Sequence, residues 1–225
     1  MTSALIVAAG RGTRMGANID KLFLEVAGQP VIAHTWKKFD SADCIDEVVL
    51  VVRAGMEEVF REIGGNLALK KPHQFVVGGA ERQDSVWNGL QILGDKAEVV
   101  AIHDGARPCI AHELIEQTIR AAKEIGAAVA AQRVTDTLKE SNDSATIART
   151  VDRSKLWSVQ TPQAFRVKVI REAIAAARER GLNLTDDTAA CELIGQPVKL
   201  VESKHPNPKV TVPGDLPFIE ALLKR

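Results

Sequence analysis

A short apolar run near the start of the chain ends in Ala8-Ala9-Gly10-Arg11-Gly12-Thr13-Arg14-Met15-Gly16, with Lys21 shortly after. Glycines directly behind a buried strand let the backbone turn tightly and bring its N–H groups against phosphate oxygens. Arg11, Arg14 and Lys21 crowd the same segment, more positive charge than a bare turn needs and about what a polyphosphate demands. The plainer alternative is a glycine-rich turn with solvated charges. A Walker loop is excluded, because it closes on Gly-Lys-Ser or Gly-Lys-Thr and here Ala17 follows Gly16. A dinucleotide fingerprint places a carboxylate at the end of the second strand, where this chain has Val52-Arg53-Ala54. Arg53 leaves one variant of that reading open, an NADP site in which it receives the extra phosphate.

Two further clusters follow apolar runs. In Gly78-Gly79-Ala80-Glu81-Arg82-Gln83-Asp84-Ser85 the glycine pair permits close approach to a flat base and Ser85 offers a hydroxyl to its polar edge. Asp84 or Ser85 can equally cap the next helix, and both roles can hold together. In Ile102-His103-Asp104-Gly105-Ala106-Arg107-Pro108 an aspartate at the tip of a buried strand is costly unless paired. A divalent cation bridging substrate phosphates is one partner for Asp104; pairing with Arg107 or holding a ribose hydroxyl are the others. His103 alternates to the opposite face and reads as a packed histidine rather than a ligand. Farther on, Asp136, Thr137, Arg153 and Thr161 place hydroxyls and charges on a polar segment, and Lys209 adds a cation near the C-terminus. Taken singly, each of these reads as surface.

The elements that must position these groups alternate. Apolar, β-branched runs at 4–8, 48–52, 75–77, 99–102 and 127–131 read as buried strands. Helical spacing marks 84–93, 113–125 and 167–180, and a helix through Phe39 with Pro30 as its first residue. Such alternation predicts an α/β fold, a doubly wound and mostly parallel sheet of the Rossmann-like kind, with ligands beyond the carboxyl ends of its strands. The 225 residues fit one domain. Residues 135–161 break the rhythm with a polar stretch around Lys139–Asp143. A loop of that length is functional or self-structured; it reads either as a protruding β-arm that reaches a second subunit or as a mobile surface loop.

Composition removes several classes. Lys plus Arg equals Asp plus Glu at 29 each, so no net field recruits nucleic acid or an anionic membrane. Aromatics at 4%, with no tyrosine, make a base-stacking surface for single strands unexpected. The apolar runs are too short to span a bilayer, and no secretory signal is visible at the N-terminus. Cys44, Cys109 and Cys191 have no metal-type spacing and an odd count, which suits reduced thiols in a cytoplasm.

In order along the chain, Ala8-Ala9-Gly10-Arg11-Gly12-Thr13-Arg14-Met15 with Lys21, Gly78-Gly79 with Glu81-Arg82 and Asp84-Ser85-Val86, and His103-Asp104-Gly105-Ala106-Arg107-Pro108 are joined by Asp136-Thr137, Val151-Asp152-Arg153, Thr161-Pro162-Gln163, Thr185-Asp186 and Lys209-Val210-Thr211. This ordered set resembles the methylerythritol phosphate cytidylyltransferases of non-mevalonate isoprenoid synthesis over nearly the whole chain. The resemblance implies that CTP and 2-C-methyl-D-erythritol 4-phosphate give 4-diphosphocytidyl-2-C-methyl-D-erythritol and pyrophosphate, with magnesium, in a homodimer joined through the β-arm. It implies that Arg14 and Lys21 stabilise the transition state, and that Ala8, Ala9, Gly79 and Ser85 surround cytosine beside the Gly10 and Gly12 cradle. Asp104 is placed near ribose and magnesium. Thr137, Arg153, Thr161 and Lys209, with Arg107 and Asp136, hold the sugar-alcohol phosphate, partly from the neighbouring subunit. Asp20 stands where a proline is common, and Ala80 replaces a polar residue often found after the glycine pair. The competing readings are a ribitol 5-phosphate cytidylyltransferase, a non-catalytic nucleotide-binding protein, and the NADP-dependent oxidoreductase. Attack by a phosphate on the α-phosphorus joins two polyanions, so positioning and charge neutralisation must do the catalysis. No Ser-His or Cys-His pair is required, because the nucleophile is already ionised.

Overall fold

The structure is a computed structural model that describes residues 1–10, 20–143 and 145–224. Its centre is a seven-stranded sheet built from β1 (Thr2–Ala8), β4 (Glu47–Val52), β5 (His73–Val77), β6 (Val99–Asp104), β7 (Ala127–Arg133), β10 (Trp157–Arg166) and β11 (Lys199–Glu202), in the order β11-β7-β10-β6-β1-β4-β5. Neighbours are parallel except β10, which runs antiparallel to both β6 and β7. The expected α/β architecture is therefore present, with one strand reversed.

Strands covered on both faces read as unbroken apolar runs, because each alternate side chain still meets a helix. On one face Ala4, Ile6, Val48 and Leu50 join a core with α1 (Val31–Asp40), α2 (Glu57–Gly65), α4 (His112–Ile125) and α7 (Leu216–Leu223). On the other, Leu5, Val49, Val51, Val100 and Ile102 pack beneath α3 (Arg82–Gln91), α5 (Val167–Glu179) and α6 (Asp187–Leu193). Each fully covered leucine or isoleucine contributes about 1.5–3 kcal/mol of burial, so these interlocked faces make a rigid base for whatever stands at the strand ends.

Three expectations are corrected. Pro30 is not the first helical residue of α1: with φ −56° and ψ 143° it stands one position earlier, in β3 (Gln29–Pro30), which pairs with β2 (Glu25–Val26). The helix at 84–93 begins and ends two residues earlier, as α3. The polar arm is shorter than 135–161. Only β8 (Leu138–Ser141) and β9 (Ile147–Val151) form the hairpin, whereas residues from Trp157 onward enter the central sheet as β10. Pro162 is compatible with that strand because it lies in the register shift between Val159 and Gln163, where a missing N–H leaves no ladder bond unmade.

Candidate active site

Strand order reverses at β1: β4 pairs with one edge of it and β6 with the other. The carboxyl ends of β1 and β6 therefore border a crevice of the kind in which open α/β sheets hold ligands. Ala8, Ala9, Gly10, Gly79, Ser85 and Asp104 line it, joined by Lys21 and Lys209. The structure thus gathers the expected nucleotide-loop residues into one cleft. Gly12 and Arg14 lie outside the described residues.

The glycine pair has a reason beyond ligand approach. A Cβ at position 78 would lie 2.5 Å from the Ala9 Cβ, and one at 79 would lie 2.3 Å from the Asp84 Cβ. Only glycine lets the loop after β5 close against both the first turn of the chain and α3. Ser85, 3% exposed, accepts the Gly79 N–H at 3.1 Å and donates to the Glu81 carbonyl at 3.2 Å. Its hydroxyl therefore braces the loop. The capping role falls to Asp84, which accepts the Glu81 N–H at 3.2 Å.

Asp104, at the tip of β6, meets three cations. Lys209 Nζ lies 2.7 Å from Oδ2, Arg107 Nε 3.6 Å from the same oxygen, and Arg82 Nε 3.5 Å from Oδ1. Burial pushes this carboxyl upward, but Lys209, Arg82 and Arg107 together outweigh it and hold it well below the usual carboxylate range. Arg107, one of the expected partners, is thus present but farther away than Lys209, and its NH1 donates to the Asn207 carbonyl at 2.7 Å.

His103 is fully buried against Phe39, as its alternation predicted. The carbonyl of Arg107 lies 3.2 Å from Nε2 and can only accept, so Nε2 carries the proton and Nδ1 accepts from the Thr161 hydroxyl at 3.0 Å. Thr161 Oγ1 in turn accepts the Asp104 N–H at 3.1 Å. Burial drives the histidine pKa down to about 4, which keeps it in the neutral form this chain of bonds needs. Thr161 is accordingly not on the arm: it is a buried residue of β10 whose hydroxyl orients the backbone of Asp104.

The C-terminal segment is held in place from several sides. Asn207 Nδ2 donates to the Thr161 carbonyl at 2.8 Å and to Gln160 Oε1 at 3.2 Å, and the Val210 N–H donates to the Ala106 carbonyl at 2.8 Å. Lys209 is thereby carried to Asp104, while Lys21 Nζ donates to the Val210 carbonyl at 2.8 Å. Two lysines far apart in sequence are brought to the same cleft wall.

Sequence reasoning did not single out Arg82 or Asp187. The Arg82 guanidinium spans Asp104 and the buried Asp187, whose Oδ2 lies 2.9 Å from NH2 as an ion pair rather than an aligned hydrogen bond. Burial raises the Asp187 carboxyl, and the pull of Arg82 does not cancel it. Arg82 lies shortly after the glycine pair and was therefore visible; nothing local marks Asp187, whose partners lie on α3 and β10. Asp136, Thr137 and Arg153 are exposed and are not among the residues lining the cleft; the Arg153 guanidinium donates to the Thr135 carbonyl at the foot of the arm.

The family model described as 2-C-methyl-D-erythritol 4-phosphate cytidylyltransferase matches residues 2–225. The chain belongs to this cytidylyltransferase family. Proteins of that name from Alkaliphilus oremlandii and Geobacillus kaustophilus are each 44% identical, over 99% and 98% of this chain and 95% and 96% of their own. Among solved structures, 4-diphosphocytidyl-2C-methyl-D-erythritol synthase from Anaerococcus prevotii superposes with a TM-score of 0.87 at 32% identity, covering 100% of this chain and 96% of that one. The Thermus thermophilus cytidylyltransferase gives 0.79 at 32% identity, with 98% of each chain covered. As a member of the family the protein is a nucleotidyltransferase with methylerythritol phosphate cytidylyltransferase activity. The ribitol phosphate and non-catalytic alternatives are not favoured. Arg53 does not stand free for an NADP phosphate, because it pairs with Asp20 at 3.0 Å. Among the described residues no helix is long and apolar enough to cross a membrane.

Proposed function

We propose that the cleft joins CTP to 2-C-methyl-D-erythritol 4-phosphate by in-line attack of the substrate phosphate on the CTP α-phosphorus, with pyrophosphate leaving. The observation that carries this reading is the convergence of Lys21 and Lys209, linked through Val210, at the ligand edge of the sheet beside Asp104. Two polyanions must approach one another, and fixed cations there lower the barrier without reorganising. Lys21 and Arg14 neutralise charge developing on the phosphate chain; Ala8, Ala9, Gly10, Gly12, Gly79 and Ser85 form the nucleotide cradle. Ala80, at the rim of the same cleft, presents only a methyl group, so base and ribose recognition rests on its neighbours.

Magnesium would come to this site as an ion carried by the triphosphate. Among the described residues no group of three acidic, histidine or cysteine side chains forms a cage, and magnesium is commonly held by one or two carboxylates plus phosphates. Asp104 is the carboxylate that would hold it, its low pKa keeping it ionised. The ion would supply further neutralisation of phosphate oxygens. Lys209 and Arg107 bind the acceptor phosphate from this chain. Asp136, Thr137, Arg153 and the β8–β9 hairpin serve a second copy in a homodimer, and the exposed Leu138 and Ile147 on the hairpin support that role. The three cysteines are free, in keeping with a cytoplasmic enzyme.

The test is pyrophosphate release with each of the four nucleoside triphosphates plus methylerythritol phosphate. CTP alone should support turnover. Lys21→Ala should fold normally and lose on the order of a thousandfold in turnover; near-normal turnover in that variant removes Lys21 from the mechanism.

A further inference from the structure

Asp20 and Arg53 join the segment that carries Lys21 to the end of β4. Arg53 follows directly on β4, and its NH2 lies 3.0 Å from Asp20 Oδ2, with side chains 29% and 19% exposed. The other oxygen of Asp20 accepts the Leu22 N–H at 3.1 Å, and its carbonyl accepts the Phe23 N–H at 3.0 Å. Leu22 is buried, and its own carbonyl receives the Ile32 N–H at 3.0 Å. Lys21 therefore sits between a residue tied to the end of β4 and a residue tied to α1, with its ammonium reaching Val210.

We propose that the Asp20–Arg53 ion pair is a positioning clamp for Lys21, fixing the backbone from which that lysine reaches the phosphate chain. The inference rests on the mechanism argued above for Lys21. A second consequence follows from charge. A carboxylate next to a phosphate-binding lysine opposes a polyanion, and Arg53 neutralises it where it stands. Arg53 also borders a hollow shared with Ala9, Gly10, Gly79 and Ala80, so direct contact with the nucleotide is the competing role that the experiment must separate.

Wild type, Asp20→Asn, Arg53→Ala, Arg53→Lys, the double variant Asp20→Asn with Arg53→Ala, and Lys21→Ala are compared for kcat, for both KM values, and for amide hydrogen exchange at Leu22 and Phe23. Asparagine retains an oxygen for the Leu22 amide and removes the ion pair alone. Each single clamp variant should lower kcat on the order of tenfold, since small misplacements of a catalytic group are costly. KM for the acceptor should hold, and exchange at Leu22 and Phe23 should quicken. The double variant should be no worse than the poorer single, and Arg53→Lys should recover most of the loss. Wild-type kcat in Arg53→Ala, unchanged exchange, or losses that multiply in the double variant would each overturn the clamp. A raised KM for CTP with kcat and exchange unchanged would assign Arg53 to the nucleotide instead. Should Lys21→Ala retain turnover, the mechanistic reading of Lys21 fails and the clamp's catalytic role fails with it; a rise in exchange would then mark the premise as the fault.

Discussion

Asp104 meets cations drawn from α3, from its own loop and from the C-terminal segment, whereas the β8–β9 hairpin forms a two-stranded sheet by itself. The first region is buried and cross-linked over long sequence distances. The second is exposed, and its ion pair between Arg149 and Glu140 at 2.6 Å stays within the hairpin. The difference teaches where each region completes itself. The described cleft residues are tied to one another within one chain on a rigid base, while Leu138 and Ile147 on the arm stay exposed, where the proposed second copy would cover them.

Removing a cation from the cleft should produce the largest effect. Lys209→Ala is expected to lose about a hundredfold or more in turnover and to lower the urea midpoint as well, since it takes the nearest cation from the buried Asp104 carboxylate. Retained turnover would mean that the cations around Asp104 are architectural. Next, Ile147→Asp on the arm should shift the protein toward monomers in sedimentation velocity and lower turnover about tenfold or more, by withdrawing arm residues from the partner's cleft. An unchanged dimer would break the contrast between the two regions.

A smaller effect concerns the histidine beneath Asp104. A histidine whose folded pKa lies below its unfolded value binds its proton more readily when unfolded, so its contribution is complete above the unfolded value and is lost as pH falls. For His103 that window runs from 6.5 down to about 4, and the loss amounts to at most about 3 kcal/mol. Denaturant midpoints measured across this window should fall more steeply for wild type than for His103→Gln; parallel curves would show that the histidine is not held neutral. The smallest effect belongs to the arm. Arg149→Ala removes an exposed pair and should change stability by less than about 1 kcal/mol, whereas a larger loss would make the hairpin more than a surface feature.

Much of the fold was legible because the buried strands are covered on both faces, and such strands must be apolar at every position. The runs at 4–8, 48–52 and 99–102 announced β1, β4 and β6 for that reason. β10 was not legible: Gln160, Thr161, Pro162 and Gln163 read as polar and proline-broken, although Thr161 and Gln163 are buried. Their polar atoms are satisfied by His103, Asp104, Asp186 and Asp187, partners that only the folded sheet brings near. The same reason explains why Thr161 was placed on the arm and why Asp187 went unnoticed.

The sequence by itself determined the alternation of elements, the glycine loops and the identity of the charged groups, because backbone turning, apolar periodicity and charge are properties of short segments. Tertiary structure alone decided that Lys209 closes on Asp104, that Arg82 bridges two carboxylates, and that Arg53 holds Asp20 rather than a cofactor phosphate. Ion pairs and relays of this kind join residues tens of positions apart, and no local propensity encodes such a distance.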